Sequence, residues 1–492
     1  KPGRTTLGVT VGERWSQPGG YGELLRVAAP LILSTASWSI QAFVDQMFLT
    51  WYDRAAVAAA MPAMMLWYTF VSFFAATGGY VNTFVAQYSG ADRPERVGPS
   101  VWQGIYFSLF AAVFMLALIP FARDIFELAD HDPAVRPLET VYFRILCLAG
   151  ITVMGGPLGA FFTGRGDTRT IMWVNFCAVS INVVLDYGLI FGAWGFPEWG
   201  IRGAAWATVT AHTFSMVTLM VLMLRRRHRE RFNTLRGWRP DRELFRRLLR
   251  FGMPSGVEHV LTMMGLSLFV LLVGRLGQVE LAATNIVMNI GWMAFLPMIG
   301  LTVAVTTLVG RYLGENQPDI SERAVWCGFR LVVIYGGVVA AAYVLIPEII
   351  LSPFAANADP ETFPPIREVG IVLLKFLAAF TVFDYACLMF SSGIKGAGDT
   401  KFVMWVFTSL TWTLLVFPTY LACVVFDWGI YVAWAFETLF VIVAGFVFLL
   451  RFRGGKWKSM RVIEPETETL PLAVPPPVPD RGLDGGPPGL EV

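Results

Sequence analysis

Charge is scarce in this chain: Asp, Glu, Lys and Arg make up 15% of its 492 residues, against about 25% in a soluble domain. That shortage excludes an ordinary soluble fold, which needs far more charge to cover its surface. Cysteine is also scarce. The five are Cys147, Cys177, Cys327, Cys387 and Cys423, all in apolar runs and none at a metal-type spacing. They read as small buried hydrophobes rather than a disulfide or zinc framework. No Gly-rich phosphate loop ending in Lys-Ser or Lys-Thr is present, which excludes a P-loop ATPase. No His, Cys and Glu fall at metalloprotease spacing, and the expectation is a protein that is not an enzyme.

Long hydrophobic runs fill the space left by charge. Hydrophobic residues make up 55% of the chain. Runs of about 20 apolar residues span a bilayer. Twelve such spans are predicted, at 24–50, 57–88, 98–122, 139–162, 171–192, 202–224, 251–274, 281–310, 324–349, 368–391, 402–424 and 429–450. The fold class is therefore an all-α polytopic membrane protein with twelve transmembrane helices. The first ~20 residues are polar, so no cleavable signal peptide is expected.

The chain is also doubled. GDTRTIMWV at Gly166–Val174 returns as GDTKFVMWV at Gly398–Val406, 232 residues on. At an offset of 224, Pro30 pairs with Pro254, Met64 with Met288, Tyr88 with Tyr312, Gly90 with Gly314 and Trp102 with Trp326. The drift in offset marks loop insertions. Two copies of one apolar unit predict two pseudo-symmetric six-helix lobes. The predicted organisation is an N-terminal segment at 1–21, an N-lobe at 22–224, a basic linker at 225–250, a C-lobe at 251–452 and a tail at 453–492. The tail from Glu464 on is rich in Pro, Gly and acids and is expected to be disordered.

Orientation follows from Lys and Arg. The segment Arg225–Arg250 holds eleven arginines, and Arg451, Arg453, Lys456, Lys458 and Arg461 follow the last span. The opposite loops carry mainly Arg54, Arg123, Arg136, Arg202, Arg275 and Arg367, beside Asp124, Glu127, Asp130 and Asp132. The positive-inside rule then predicts that both termini are cytoplasmic, in the cell's inner (plasma) membrane. The basic linker reads as a topology signal and connector, in preference to a nucleic-acid or anionic-lipid patch. No nucleic-acid partner is expected; the surroundings are membrane lipid, and the chain is expected to act as a monomer.

An ionised side chain in the apolar slab costs about 2.5–3.5 kcal/mol on insertion scales, so each one is a functional candidate. Four acids stand out: Asp45, Asp186, Glu258 and Asp384. Asp45 and Asp186 are placed by helical rise about 8 Å below the outer boundary. Asn182 lies one turn before Asp186 on the same face. Two carboxylates and an amide at one depth suit a proton or a hard cation such as Na+. Glu258 and Asp384 are expected to share a second depth, seven to eight residues from the cytoplasmic end of their spans. The competing reading for them is an ion pair or packing with His259 or Lys375. His212 reads as structural, and Arg144 and Lys375 as snorkelling. Met61, Met64, Met65, Met263, Met264, Met288, Met293 and Met298 suit a flexible cavity wall or ordinary packing.

At this point the residues resemble a known family. GRGDTRTIMWVNFCAVSINVVLDYGLIFGAWGFPEWGIRGAAWATV at Gly164–Val209 is similar to the fourth-to-sixth-span signature of multidrug and toxic compound extrusion (MATE) transporters. So are VDQMFL around Asp45, GMPSG at Gly252–Gly256 and SSGIKGAGDT at Ser391–Thr400. The resemblance covers about residues 22–450. It implies alternating access between two lobes and antiport of amphipathic, mostly cationic organic compounds against H+ or Na+, with no cofactor beyond that ion. By motif position, Asp45, Asn182 and Asp186 match the family's N-lobe cation site, a metal site if the ion is Na+. Thr208 in GAAWAT matches a further oxygen ligand. Asp384 matches a C-lobe acid used in one branch. Glu258 departs, lying about one turn nearer the Pro than that branch's glutamate. The alternatives are a flippase or exporter of a lipid-linked or anionic metabolite, which would need a cationic cavity, and a membrane-embedded enzyme built on Glu258, His259 and Asp384.

Overall fold

The computed structural model describes residues 15–128, 133, 135–355 and 363–465. The expected disorder of the tail, and Asp130 and Asp132, lie outside these residues but for Glu464 and Pro465. Every long element is a helix, and no strand occurs among the described residues. Twelve helices are long and apolar enough to cross a membrane: α1 Tyr21–Tyr52, α2 Ala55–Gly90, α3 Pro94–Leu118, α4 Arg136–Thr163, α5 Thr168–Phe191, α6 Ile201–Met223, α7 Arg242–Val273, α8 Gln278–Gly314, α9 Pro318–Leu345, α10 Phe363–Ala397, α11 Thr400–Val425 and α12 Ile430–Arg453. The protein is an integral membrane protein.

Several helices outrun their apolar windows. The basic stretch 242–250 is the first part of α7, not connector, because Asp241 caps it through the amides of Glu243 and Leu244. The rest of that stretch holds a short helix, Arg226–Phe232. α10 continues to Ala397, six residues past its predicted limit of 391. Pro418 falls inside α11, and π-helical turns flank it at Thr411–Val416 and Leu421–Val425. A missing N–H and its ring explain that irregularity.

The contacts repeat with the sequence. In the N-lobe, α1 packs on α5, α2 on α4, and α4 and α5 on α6. In the C-lobe, α7 packs on α11, α8 on α10, and α10 and α11 on α12. The lobes meet through α1 against α8 and α2 against both α7 and α8. Glycine permits the closest approaches. A Cβ on Gly252 would sit 2.8 Å from the Thr77 carbonyl oxygen, and one on Gly256 would collide with the Thr77 hydroxyl. GMPSG is thus a small-xxx-small contact between α7 and α2.

The seam is sealed at the end that carries the arginine-rich segment, here the basic end. Tyr312 Oη donates to Glu23 at 2.6 Å, Tyr80 Oη to the Lys395 carbonyl at 2.7 Å, and Gln87 Nε2 to the Gly396 carbonyl at 3.1 Å. The Val462 amide donates to Gln87 Oε1 at 2.8 Å. Asn82 donates to Thr307 at 3.0 Å across the seam. The last specific contacts toward the other end are Thr35 Oγ1 on the Leu296 carbonyl, 3.3 Å, and Tyr68 beside His259. Past them Trp38, Phe43, Met61, Met65, Met264 and Met293 are exposed. The lobes are joined at the basic end and splay toward the opposite one. Met298, by contrast, is buried and belongs to the C-lobe core.

Candidate functional site

Inside the N-lobe, α1 runs along α5, and the two helices bring Asp45 and Asp186 within electrostatic reach of each other. Asn182 sits one turn before Asp186 on the same helix. Asn182 and Asp186 are fully buried, and Asp45 is half-buried. Both oxygens of Asp186, both polar atoms of Asn182 and Oδ1 of Asp45 have no hydrogen-bond partner in the protein. Buried polar atoms are usually paired, and here five lie unpartnered on neighbouring turns of two helices. Two neighbouring carboxyl groups cannot both stay charged in an apolar interior without a proton or a cation beside them.

Neighbouring helices complete the surroundings. Tyr142 of α4 is buried within electrostatic reach of both acids. Thr208 is buried on α6, which packs along α5. It lies seven residues from its helix end, as Asp45 does from Tyr52, and so at a similar level. Toward the splayed end, Phe48 packs edge-on against Tyr187 at 5.8 Å and Phe191 at 6.0 Å, and Tyr52 against Phe191 at 6.1 Å. This aromatic cap lies between the acids and the nearer end of the helices. Toward the basic end, Asn175 Nδ2 donates to Ser34 Oγ at 2.7 Å, and Ser215 Oγ to Asn175 Oδ1 at 3.4 Å. Asn175 therefore extends a polar file on α5. Its signal in the sequence was the spacing 175, 182, 186, which keeps one helical face.

The donors are hard oxygens, which fit a proton or a small hard cation. Among the described residues no three His, Cys, Asp or Glu side chains gather in metal-holding geometry. A bound Na+ would rest on the two carboxylates and on amide, hydroxyl or backbone oxygens.

The C-lobe acids are arranged differently from expectation. Glu258 pairs with Lys395 of α10, Oε2 to Nζ 2.5 Å. Neither His259 nor Lys375 is its partner: His259 lies edge-on to Tyr68, and Lys375 is exposed. Asp384 stands eleven residues before Lys395 on the same helix, about 16 Å by helical rise. Counted from the basic ends of their helices, Asp384 lies thirteen residues from Ala397 and Glu258 sixteen from Arg242. The structure also shows an acid that the sequence reading passed over. Glu437 of α12 is buried, has an unpartnered Oε2 and lies within electrostatic reach of Asp384. An acid within VAWAFETLF was the available signal.

Two repeated six-helix lobes, joined at one end and enclosing buried acids, define a membrane transporter built from internal repeats. The sequence profile of the MatE family matches residues 30–188 and 254–421. The chain belongs to the MatE family. It is 26% identical over 449 residues to a Thermotoga maritima protein named "Probable multidrug resistance protein NorM", covering 90% of this chain and 94% of that one. It is 29% identical over 355 residues to Bacillus subtilis "Probable multidrug resistance protein YoeA", covering 71% and 76%. Among solved structures it is similar to a MOP superfamily transporter from Pyrococcus furiosus, described as having a binding pocket of reverse polarity, with TM-score 0.81, 19% identity and coverage of 92% and 98%. An outward-facing multidrug resistance MATE family transporter matches with the same TM-score, identity and coverage.

Proposed function

We propose that the protein is a cation-coupled antiporter that exports amphipathic, mostly cationic organic compounds, driven by H+ or Na+. The observation that carries this reading is the approach of half-buried Asp45 to buried Asp186 and Asn182, with five of their polar atoms unpartnered. The names of the relatives, multidrug resistance proteins, support the cargo class. In this reading the basic end faces the cytoplasm, both termini lie there, and the splayed end is the outward mouth. The coupling ion enters from outside and neutralises the two carboxylates, which weakens their hold on a cationic compound and favours its release. The ion then leaves inside, and the acids regain charge for the next substrate.

The test is transport of a fluorescent organic cation by the purified protein in vesicles, with H+ and Na+ gradients imposed separately. Uptake against its own gradient under either ion supports antiport. Accumulation with neither would sink the proposal.

A further inference from the structure

A cavity of about 270 Å³ opens at the basic end of the C-lobe. Its walls come from three places: Arg250 and Phe251 of α7, Ala397–Asp399 and Lys401 at the α10–α11 turn, and Met460 and Arg461 after α12. Its volume is at or below the low end of the roughly 300–1,000 Å³ of small-molecule pockets. That size suits a headgroup better than a bulky organic cargo.

The wall charges are unbalanced. Asp399 is the cavity's carboxylate, and Arg451 already holds it from the side, Nη2 to Oδ2 2.6 Å and Nε to Oδ2 3.0 Å. Arg250, Lys401 and Arg461 make no ion pair with a carboxylate among the described residues. Arg461 donates only to neutral oxygens: the Lys458 carbonyl at 2.8 Å, the Met460 carbonyl at 2.7 Å and Asn316 Oδ1 at 3.4 Å. Three cations against one carboxylate, itself held by Arg451, therefore line one recess, with Phe251 and Met460 as its apolar side chains. Such a set matches a phosphate oxygen cluster with hydrocarbon beside it. The place fits as well. The apolar run of α7 begins at Phe251, that of α11 just after Lys401, and α12 ends at Arg453. The recess lies where these helices leave the hydrocarbon and headgroups begin.

We infer that this recess binds the phosphate of an anionic phospholipid, with Arg250, Lys401 and Arg461 as its ligands. The consequence reaches the seam. The α10–α11 turn that forms one wall follows directly on the Lys395 and Gly396 carbonyls, which accept from Tyr80 and Gln87 of the N-lobe. Val462, next to Arg461, donates to the same Gln87. A bound phosphate holds these segments together and favours the state closed at the basic end.

The repeat supplies a matched control. Arg26 and Arg169 are the mates of Arg250 and Lys401 at offsets 224 and 232 and lie outside the cavity. The test measures phosphatidylglycerol bound to the full chain in phosphatidylcholine nanodiscs, by native mass spectrometry and by the shift in melting temperature. Arg250→Gln with Lys401→Gln should weaken retention about tenfold or more. Arg26→Gln with Arg169→Gln removes the same charge from the same end and should leave retention unchanged. Melting in pure phosphatidylcholine checks folding. If the first double variant does not fold there, Arg461→Gln must show the loss. Equal loss in both double variants would make the effect diffuse charge and overturn the site. So would undiminished retention in the cavity variants. Soluble glycerol phosphate that reproduces the melting shift would overturn the lipid as the source.

Discussion

Gly90 and Gly314 are repeat mates that meet across the seam between the lobes. A Cβ on Gly90 would run into the Arg311 carbonyl oxygen, and one on Gly314 into that of Gln87. Gln87 and Arg311 are themselves mates at the same offset of 224. The contact is therefore reciprocal: each helix presents to the other the patch it receives, as a two-fold interface requires.

That reciprocity yields the first prediction. Gly314→Leu should stop α2 and α8 from closing at the basic end, because the obstacle is backbone and cannot swing aside. Overpacking of this kind costs about 1–3 kcal/mol. A cost of about 2 kcal/mol would shift the balance of states by roughly thirtyfold. A cysteine placed at Gln87, between the lobes, should then gain reactivity toward a thiol reagent. Unchanged reactivity in a folded variant would mean that this contact does not set the seal.

The Glu258–Lys395 pair gives the second. Removing one partner of a buried pair typically costs about 3–5 kcal/mol. Lys395 keeps 26% of its side chain exposed, so a loss of about 1–3 kcal/mol is expected here. Glu258→Gln should lower the melting temperature, and adding Lys395→Met should restore much of it. Asp384→Asn has no such partner to strand. It should leave melting unchanged and alter transport of cationic compounds more than the Glu258→Gln, Lys395→Met pair does. Equal transport loss in both folded variants would make the two acids one functional unit.

These cases also mark what was legible in the sequence. The doubled pattern carried the two lobes, since mates such as Gly90 and Gly314 keep their places on equivalent helices. Burial cost pointed to Asp45 and Asp186, and the rise per residue put them at one depth, where they lie within electrostatic reach of each other. The C-lobe was less legible for a physical reason. Hydropathy marks where a helix leaves hydrocarbon, not where its hydrogen bonds stop. α10 was therefore cut short at 391, and Lys395, the partner of Glu258, fell outside the span. Glu437 escaped because one acid barely dents so apolar a run.

Orientation gives the third prediction. With the basic end in the cytoplasm, a single cysteine at Arg229 or Arg236 should resist an impermeant thiol reagent added to intact cells. It should react once the membrane is permeabilised. One at Trp194, exposed in the turn after α5, should behave in the opposite way. Ready labelling of the basic segment in intact cells would invert the proposed direction of transport.

The last prediction concerns the N-lobe acids. Asp45→Asn nearly preserves volume and keeps polar atoms beside Asp186, so the packing of α1 on α5 should survive. What it removes is the second negative charge. Two neighbouring carboxylates demand a proton or a cation, whereas one carboxylate beside an amide demands far less. The gradient then loses its purchase. Export driven by the ion should fall to background, while binding of an organic cation to the detergent-solubilised protein should lose its dependence on H+ or Na+. Asp186→Asn should do the same. Asn182→Ala removes only a neutral ligand and should weaken coupling by roughly three- to tenfold, the worth of about one hydrogen bond. Transport and binding measured on the same preparations separate lost coupling from lost protein. Near wild-type, gradient-dependent export by a well-expressed Asp45→Asn protein would remove the coupling role from this pair and move it to the C-lobe acids Glu258, Asp384 and Glu437.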